Sequence, residues 1–507
     1  HSCMTRYAII IFFCISLLGC KKSEPAGESC TVEITHQFRN PYTLSAEVML
    51  KGKKPTHQYV KFQLYNISQY RALEEKGVFL LDHPFDANPD KNLQYKSEHT
   101  QQYGVYYGIV PSSVNLSAYE SEKISDLDMS EANPAGRNSA PKPRQFEGTI
   151  TFFDPVDSIQ KPLKGLQIII KDFTKTAIGF TDQNGHFAFS TPGIVSDTAE
   201  VLVRFDNDYL QIHTLDAGDL FGVFSTNTFS LGFRKSCAFT NLNIEIGRQF
   251  YDATLQHSCA ALHSLNEFKR FAADYGFLMP TKKFYFWLGK EAPISTSYAT
   301  PMLHNMTQQN ISNPTQLISN LFGIPEDIAD LLSFVIGDQL PDIYAPYYMR
   351  YATTARASFI ETMFHELSHA SHFAKVGTAF WLPYVEYIYG NGGYGTPDLA
   401  NSGIVGVSEA WAEDLSNIGL NYIYNKPKYL GYNEDPIEDW IPYGLYHDLN
   451  DTGTNESFDN VSGISFPQIY SQFTVDTRSL ATMKAKLKAS FPAQQVGIDS
   501  LFSHYSY

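Results

Sequence analysis

The sequence predicts a multidomain α+β protein, with an N-terminal α/β or β module, a β-sandwich, and a mainly α-helical C-terminal domain that carries a small sheet. Three observations predict it. The chain has 507 residues, enough for roughly two to four domains. Short apolar runs and turn signals crowd residues 145–216, whereas helical periodicity dominates from residue 240 to 507. A stretch rich in Pro, Ala, Asn and Ser over 129–143 reads as a linker. Hydrophobic residues make up 43% of the chain and aromatics 14%, which supplies large cores and excludes a disordered protein. The net charge of −15 argues against nucleic acid as a partner.

Residues 1–19 read as a targeting segment. Met4 reads as the start, behind His1-Ser2-Cys3. Arg6 gives a positive charge ahead of the apolar run 7–18, which is too short to span a bilayer. Leu17-Leu18-Gly19-Cys20 then resembles the lipobox of bacterial lipoproteins. That resemblance implies cleavage before Cys20, acylation of Cys20, and a lipid-anchored place at the bacterial outer membrane or cell surface. Residues 20–40 would be the tether. Cys14 falls in the removed segment, which leaves Cys30, Cys237 and Cys259. An odd count fixes no pairing, and without a C-x-x-C pair a cysteine metal site is not supported.

The module 41–143 holds strand-like runs at 46–50, 59–64 and 105–110 and a short helical pattern at 67–76. It carries no recognisable chemistry, so a structural or partner-binding role is expected. In 145–216, residues 166–170 and 201–205 have strand composition, and Asn184-Gly185 between two short β runs signals a hairpin. Asp182 and Asn184 are better explained by turn chemistry than by calcium. Gly148-Thr149-Ile150, Pro162-Leu163-Lys164-Gly165-Leu166 and Thr181-Asp182-x-Asn184-Gly185-x-Phe187 together resemble the carboxypeptidase regulatory-like domain. That resemblance implies a prealbumin-like β-sandwich acting as a spacer or interaction module.

In the C-terminal domain, 241–246 and 283–288 read as strands, and Ala253–Tyr275 and 325–336 as helices. Residues 341–347 read as a strand that Pro346 would keep at an edge. Helices are expected again at 442–449, 465–473 and 480–491.

The chemistry centres on 361–373. It contains His365-Glu366-Leu367-Ser368-His369, the H-E-x-x-H pattern. Ile360, Met363, Phe364, Leu367 and Ala370 recur at helical spacing as one apolar stripe, and Gly377 offers a stop. On a helix, His365 and His369 project from one face about 6 Å apart along the axis. Two imidazoles so placed can share one zinc ion. Glu366 is turned by about 100° and can reach a metal-bound water without being a ligand. His372 is about 10 Å along the axis from His365, too far to share the ion, and reads as packing or support.

A catalytic zinc site needs a third protein ligand. Lys375 stands where a metzincin would place histidine, so a carboxylate from a second helix is expected instead. Ser408-Glu409-Ala410-Trp411-Ala412-Glu413 offers Glu409 and Glu413 one turn apart, with Ser408 as N-cap. Glu386 is the rival ligand.

H-E-x-x-H followed by E-x-x-x-E on a later helix resembles the gluzincin pattern of thermolysin-like metallopeptidases. The resemblance implies a zincin-like catalytic domain with Glu409 as the third zinc ligand. It also implies that Glu413 holds the Nδ1–H of His365, although Glu413 stands where the best-known members have Asp. A strand just before the metal helix pairs with substrate in that family, and Ile343–Tyr347 would take that part here. The order of segments further resembles Bacteroidota lipoproteins described as zinc metallopeptidases.

The implied function is hydrolysis of peptide or protein substrates by a zinc-activated water, with Glu366 as general base. An oxyanion donor would come from the aromatic, Gly-rich stretch 380–395, Tyr394 among its tyrosines, or from His447. The alternative is a non-catalytic cell-surface binding lipoprotein with a structural zinc site. Glu366 counts against it, because a structural site needs no base.

Overall fold

The computed structural model describes parts of 57–81 and 105–127, and 144–290 apart from short connecting segments. It also describes 299–306, 340–347, 353–425 and, apart from short segments, 437–507. The targeting segment, Cys20, Cys30, Cys237, the run 46–50, most of 67–76, the linker and the helix expected at 325–336 lie outside the described residues. The fold is α+β, mixing helices with several small sheets. No described helix is long and apolar enough to cross a membrane.

The N-terminal module is an antiparallel sheet of β1 (His57–Gln63), β2 (Phe79–Leu81), β3 (Val105–Pro111) and β4 (Glu120–Leu127), in the order β2-β3-β1-β4. Alternation along β1 turns Val60 and Phe62 into the module's core, and Tyr59, beside a register shift against β4, is buried as well. The module has a core of its own, built on Val60, Phe62, Leu73 and Val110.

Two further sheets follow. The first contains β5 (Arg144–Asp154), β6 (Ile159–Pro162) and β9 (His186–Thr191); β5 pairs with both β6 and β9. The second contains β7 (Gln167–Lys171), β8 (Thr176–Phe180), β10 (Thr198–Arg204) and β12 (Thr228–Lys235), in the order β12-β10-β7-β8. Inward residues alternate along β5, where Phe146, Ile150 and Phe152 are buried, as a sheet buried on one face requires.

The hairpin expected at Asn184-Gly185 is not formed. The turn is present, with Asp182 Oδ1 accepting the Asn184 and His186 N–H groups, but its two strands join different sheets. The cause lies outside the turn. Gly165 donates to the Thr181 carbonyl, and Ile150 donates to the Gly185 carbonyl, so each end is tied to another strand. Gly185 has φ 71°, and a Cβ there would lie 2.4 Å from the Ile150 backbone oxygen.

These sheets do not end where the helices begin. β11 (Leu210–Asp216) runs parallel to β14 (Phe284–Lys290), which runs parallel to β15 (Ile343–Tyr347). β13 (Ile244–Ile246), from beyond residue 240, pairs in parallel with β5. One hydrophobic core accordingly runs from Phe146 on β5 to Tyr505 near the C-terminus.

Helix α1 (Ala253–Tyr275) starts where the Asp252 side chain accepts the Leu255 N–H at 2.7 Å and stops at Gly276, φ 71°. After α2 (Leu303–Met306) come the helices that matter most here: α3 (Thr353–Val376), α4 (Thr378–Gly390) and α5 (Gly403–Tyr424). The stripe Ile360, Met363, Phe364, Leu367 and Ala370 of α3 is fully buried. Each such large apolar side chain contributes roughly 1.5–3 kcal/mol on burial. Gly419 lets α5 approach α3 closely, since a Cβ there would lie 3.2 Å from the Phe364 ring.

The C-terminal part adds β16 (Ile437–Glu438), β17 (Ile441–Pro442) and α6 (Leu445–Asn450). It closes with α7 (Phe466–Ser471), α8 (Leu480–Ser490) and α9 (Gln495–His504).

Two expectations need correction. Ser408 is not an N-cap. Helix α5 begins a full turn earlier, because Ile404, Val405 and Val407 extend its buried face, and Ser408 Oγ donates back to the Ile404 carbonyl at 2.9 Å. The β15 edge is also not fully open, because Tyr344 exchanges two backbone bonds with Ala299, at 2.8 and 3.0 Å.

Candidate metal centre

Helix geometry builds one half of the site. His365 and His369, one turn apart on α3, bring their Nε2 atoms to 3.1 Å. Helix α5 crosses alongside and supplies Glu409, whose Oε2 lies 3.3 Å from each of those nitrogens. These three residues form a group whose ligand atoms all lie within 4.8 Å of one another, and it can hold a metal ion.

The triangle has the right size. Donors about 2.0–2.1 Å from a tetrahedral ion lie about 3.3 Å from one another. The donor chemistry agrees. Two ring nitrogens 3.1 Å apart, with a carboxylate oxygen 3.3 Å from both, form a converging set of donor atoms that suits a cation. Three carboxylates, Glu366, Glu409 and Glu413, surround the pair in a buried setting. Such an excess of negative charge is costly to bury without a cation.

The neighbouring groups prepare the ligands. Glu413 Oε2 lies 3.0 Å from His365 Nδ1, which fixes the ring and leaves Nε2 for the ion. Burial alone would lower the His365 pKa, but the carboxylates of Glu409 and Glu413 hold it up to about 10. Burial would raise Glu409, yet the two imidazoles hold it well below the usual carboxylate range. Tyr384 donates to Glu409 Oε1, and Tyr394 donates to Oε2 at 2.9 Å. Both oxygens of that carboxylate are therefore fixed.

Glu366 is 5% exposed and is not one of the three. Burial raises its pKa above the ordinary carboxylate value, against the pull of His365 and His369. Thr300 Oγ1 donates to its Oε2 at 2.6 Å.

The remaining candidates fall elsewhere. Glu386, on α4, is exposed and outside the group, so it is not a ligand here. His372 packs among Phe380, Trp381 and Phe473, and burial drives its pKa down to about 3, so it stays neutral. His447 lies on α6, outside the group. Cys259 is a buried free thiol on α1.

Sequence reasoning missed Thr300 and Trp381, and it did not connect Tyr384 with Glu409. The density of aromatics in 380–395 was the one signal for Tyr384. Nothing around Thr300 marks it, because its role depends on a contact across 66 positions of chain.

No family model matches this chain, and no curated protein or solved structure matches it either.

Proposed function

We propose that this chain is a zinc-dependent metallopeptidase of gluzincin type, anchored as a lipoprotein through Cys20. One observation carries the reading. His365, His369 and Glu409 form a buried triangle of tetrahedral size, and beside it stands a carboxylate, Glu366, that is not needed as a ligand. The N2O donor set suits zinc. Within this reading, α3 and α5 are the core of a zincin-like domain, and residues 145–216 correspond to the prealbumin-like β-sandwich, which packs into one core with it.

Zinc, when bound, would polarise a peptide carbonyl and lower the pKa of water to about 7. The chain's own residues do the rest. His365, His369 and Glu409 hold the ion, and Glu413 keeps His365 in the tautomer that presents Nε2. Glu366 takes the proton from the attacking water and returns it to the leaving amine. Its burial raises its basicity toward that task. Tyr394, half-buried with its hydroxyl on the Glu409 oxygen that faces both histidines, is the donor best situated to turn toward a developing oxyanion. Tyr384 is buried and holds the other oxygen.

The test is a broad peptide library offered to wild type, to Glu366→Gln and to chelated protein. Cleavage by wild type alone is the expected result. No cleavage by zinc-loaded wild type would instead favour a binding protein.

A further inference from the structure

Glu366 is held from outside its own helix. Thr300 is 6% exposed, and its Oγ1 lies 2.6 Å from Glu366 Oε2 and 3.0 Å from the Glu366 carbonyl oxygen. A hydroxyl has one proton to donate. The shorter contact, to an ionisable carboxylate, is the stronger one.

Thr300 is itself pinned. Trp381 Nε1 donates to its carbonyl at 3.1 Å. On one side, Ala299 is bonded twice to Tyr344 of β15. On the other, Met302 N–H donates to the Asp342 carbonyl and Leu303 N–H to the Pro341 carbonyl. The carboxylate of Asp342 in turn takes the Tyr285 N–H, the Asn305 N–H and Asn305 Nδ2. The sheet and α4 thus fix the hydroxyl that meets Glu366.

We propose that Thr300 is a positioning residue for Glu366, holding Oε2 so that Oε1 is the oxygen that accepts a proton. The proposal rests on the reading of Glu366 as the base. Among the described residues, none is bonded to Oε1. When Oε1 gains a proton, Oε2 still accepts from Thr300, so the contact persists through the transfer. The base then changes protonation without changing place, which keeps the reacting atoms aligned.

The experiment compares Thr300→Val, which keeps the shape and removes the hydroxyl, with Thr300→Ser, which restores it. Two readouts are taken: crystal structures of the metal-free proteins, and kcat and KM on a peptide that wild type cleaves. Thr300→Val is expected to move the Glu366 side chain from its present rotamer and to lower kcat about 10–100-fold, the scale of a misplaced group. KM should change little, and zinc content should not change, since Thr300 touches no ligand. Thr300→Ser should restore both the rotamer and kcat. If Thr300→Val does not fold, Thr300→Ala is read in its place against the same Ser variant.

An unmoved Glu366, an unchanged kcat, or equal losses in the Val and Ser variants would overturn the proposal. If Glu366→Gln abolishes cleavage while Thr300→Val leaves it intact, only the role of Thr300 falls. If wild type and Glu366→Gln cleave alike, the peptidase reading falls and takes the positioning role with it.

Discussion

The two sides of the site are built differently. On the ligand side, His365 and His369 come from one helix, and Glu409 and Glu413 from another, each pair one turn apart. The 3.6-residue period alone aligns each pair. On the base side, Glu366 meets Thr300, which meets Trp381, and the segment next to Thr300 is bonded to β15. No period relates those residues. In the proposed reading, ligand identity is thus a local property of two helices, whereas the placement of the base is a property of the whole packed domain. Removing His365, His369 or Glu409 on the first side should abolish metal binding outright. Changes on the second should leave the metal in place and alter the chemistry.

The largest expected effect is on the ligand side. His365→Ala, His369→Ala and Glu409→Gln should each lose the metal, with one zinc per chain in wild type. Stoichiometric zinc in a His365→Ala/His369→Ala double variant, by elemental analysis, would remove the site altogether. Next comes the base. Glu366→Gln should keep zinc and fold, and lose about 10²–10⁴-fold in hydrolysis, the cost of a missing general base. Equal residual cleavage in wild type and variant would assign the activity to another site.

A third comparison separates the two tyrosines. Tyr394→Phe should lower kcat about 10²-fold, as loss of one oxyanion donor does, while Tyr384→Phe should act mainly on zinc affinity. The reverse pattern would exchange their roles. The smallest effect belongs to Glu413→Gln. Metal affinity or activity should fall about 10–100-fold, because the ligand remains but its orientation weakens. Complete loss of zinc, measured by titration with a competing chelator, would make Glu413 more than a support.

The sequence was most legible where one element decides its own form. Helix α1 has an Asp cap, a glycine stop and an apolar stripe between them, and its expected bounds agree with those of the structure. His365 and His369 were legible for the same reason, since residues one turn apart must share a face, whereas Glu409 stands out over Glu386 by resemblance to the gluzincin pattern. Legibility failed where two elements decide together. The turn at Asn184-Gly185 is correctly a turn, but pairing partners on β5 and β7 draw its strands apart. Ser408 looks like a cap in isolation, yet the burial of Ile404 and Val405 extends the helix past it. Helix α4 was obscured by Pro383, which lies inside it. Thr300 could not be found at all, because its only mark is where the fold puts it.

The exchange of strands between the sheets and the helical body has a further consequence. β11 leaves the first region to join β14, and β13 returns from the second to join β5. A cut between them would expose two raw sheet edges, one on each fragment, and such edges invite self-association. Residues 144–290 and the helices beyond should therefore melt in a single step. They should also resist separation by limited proteolysis, and they form a unit that could not be shuffled into other proteins piece by piece.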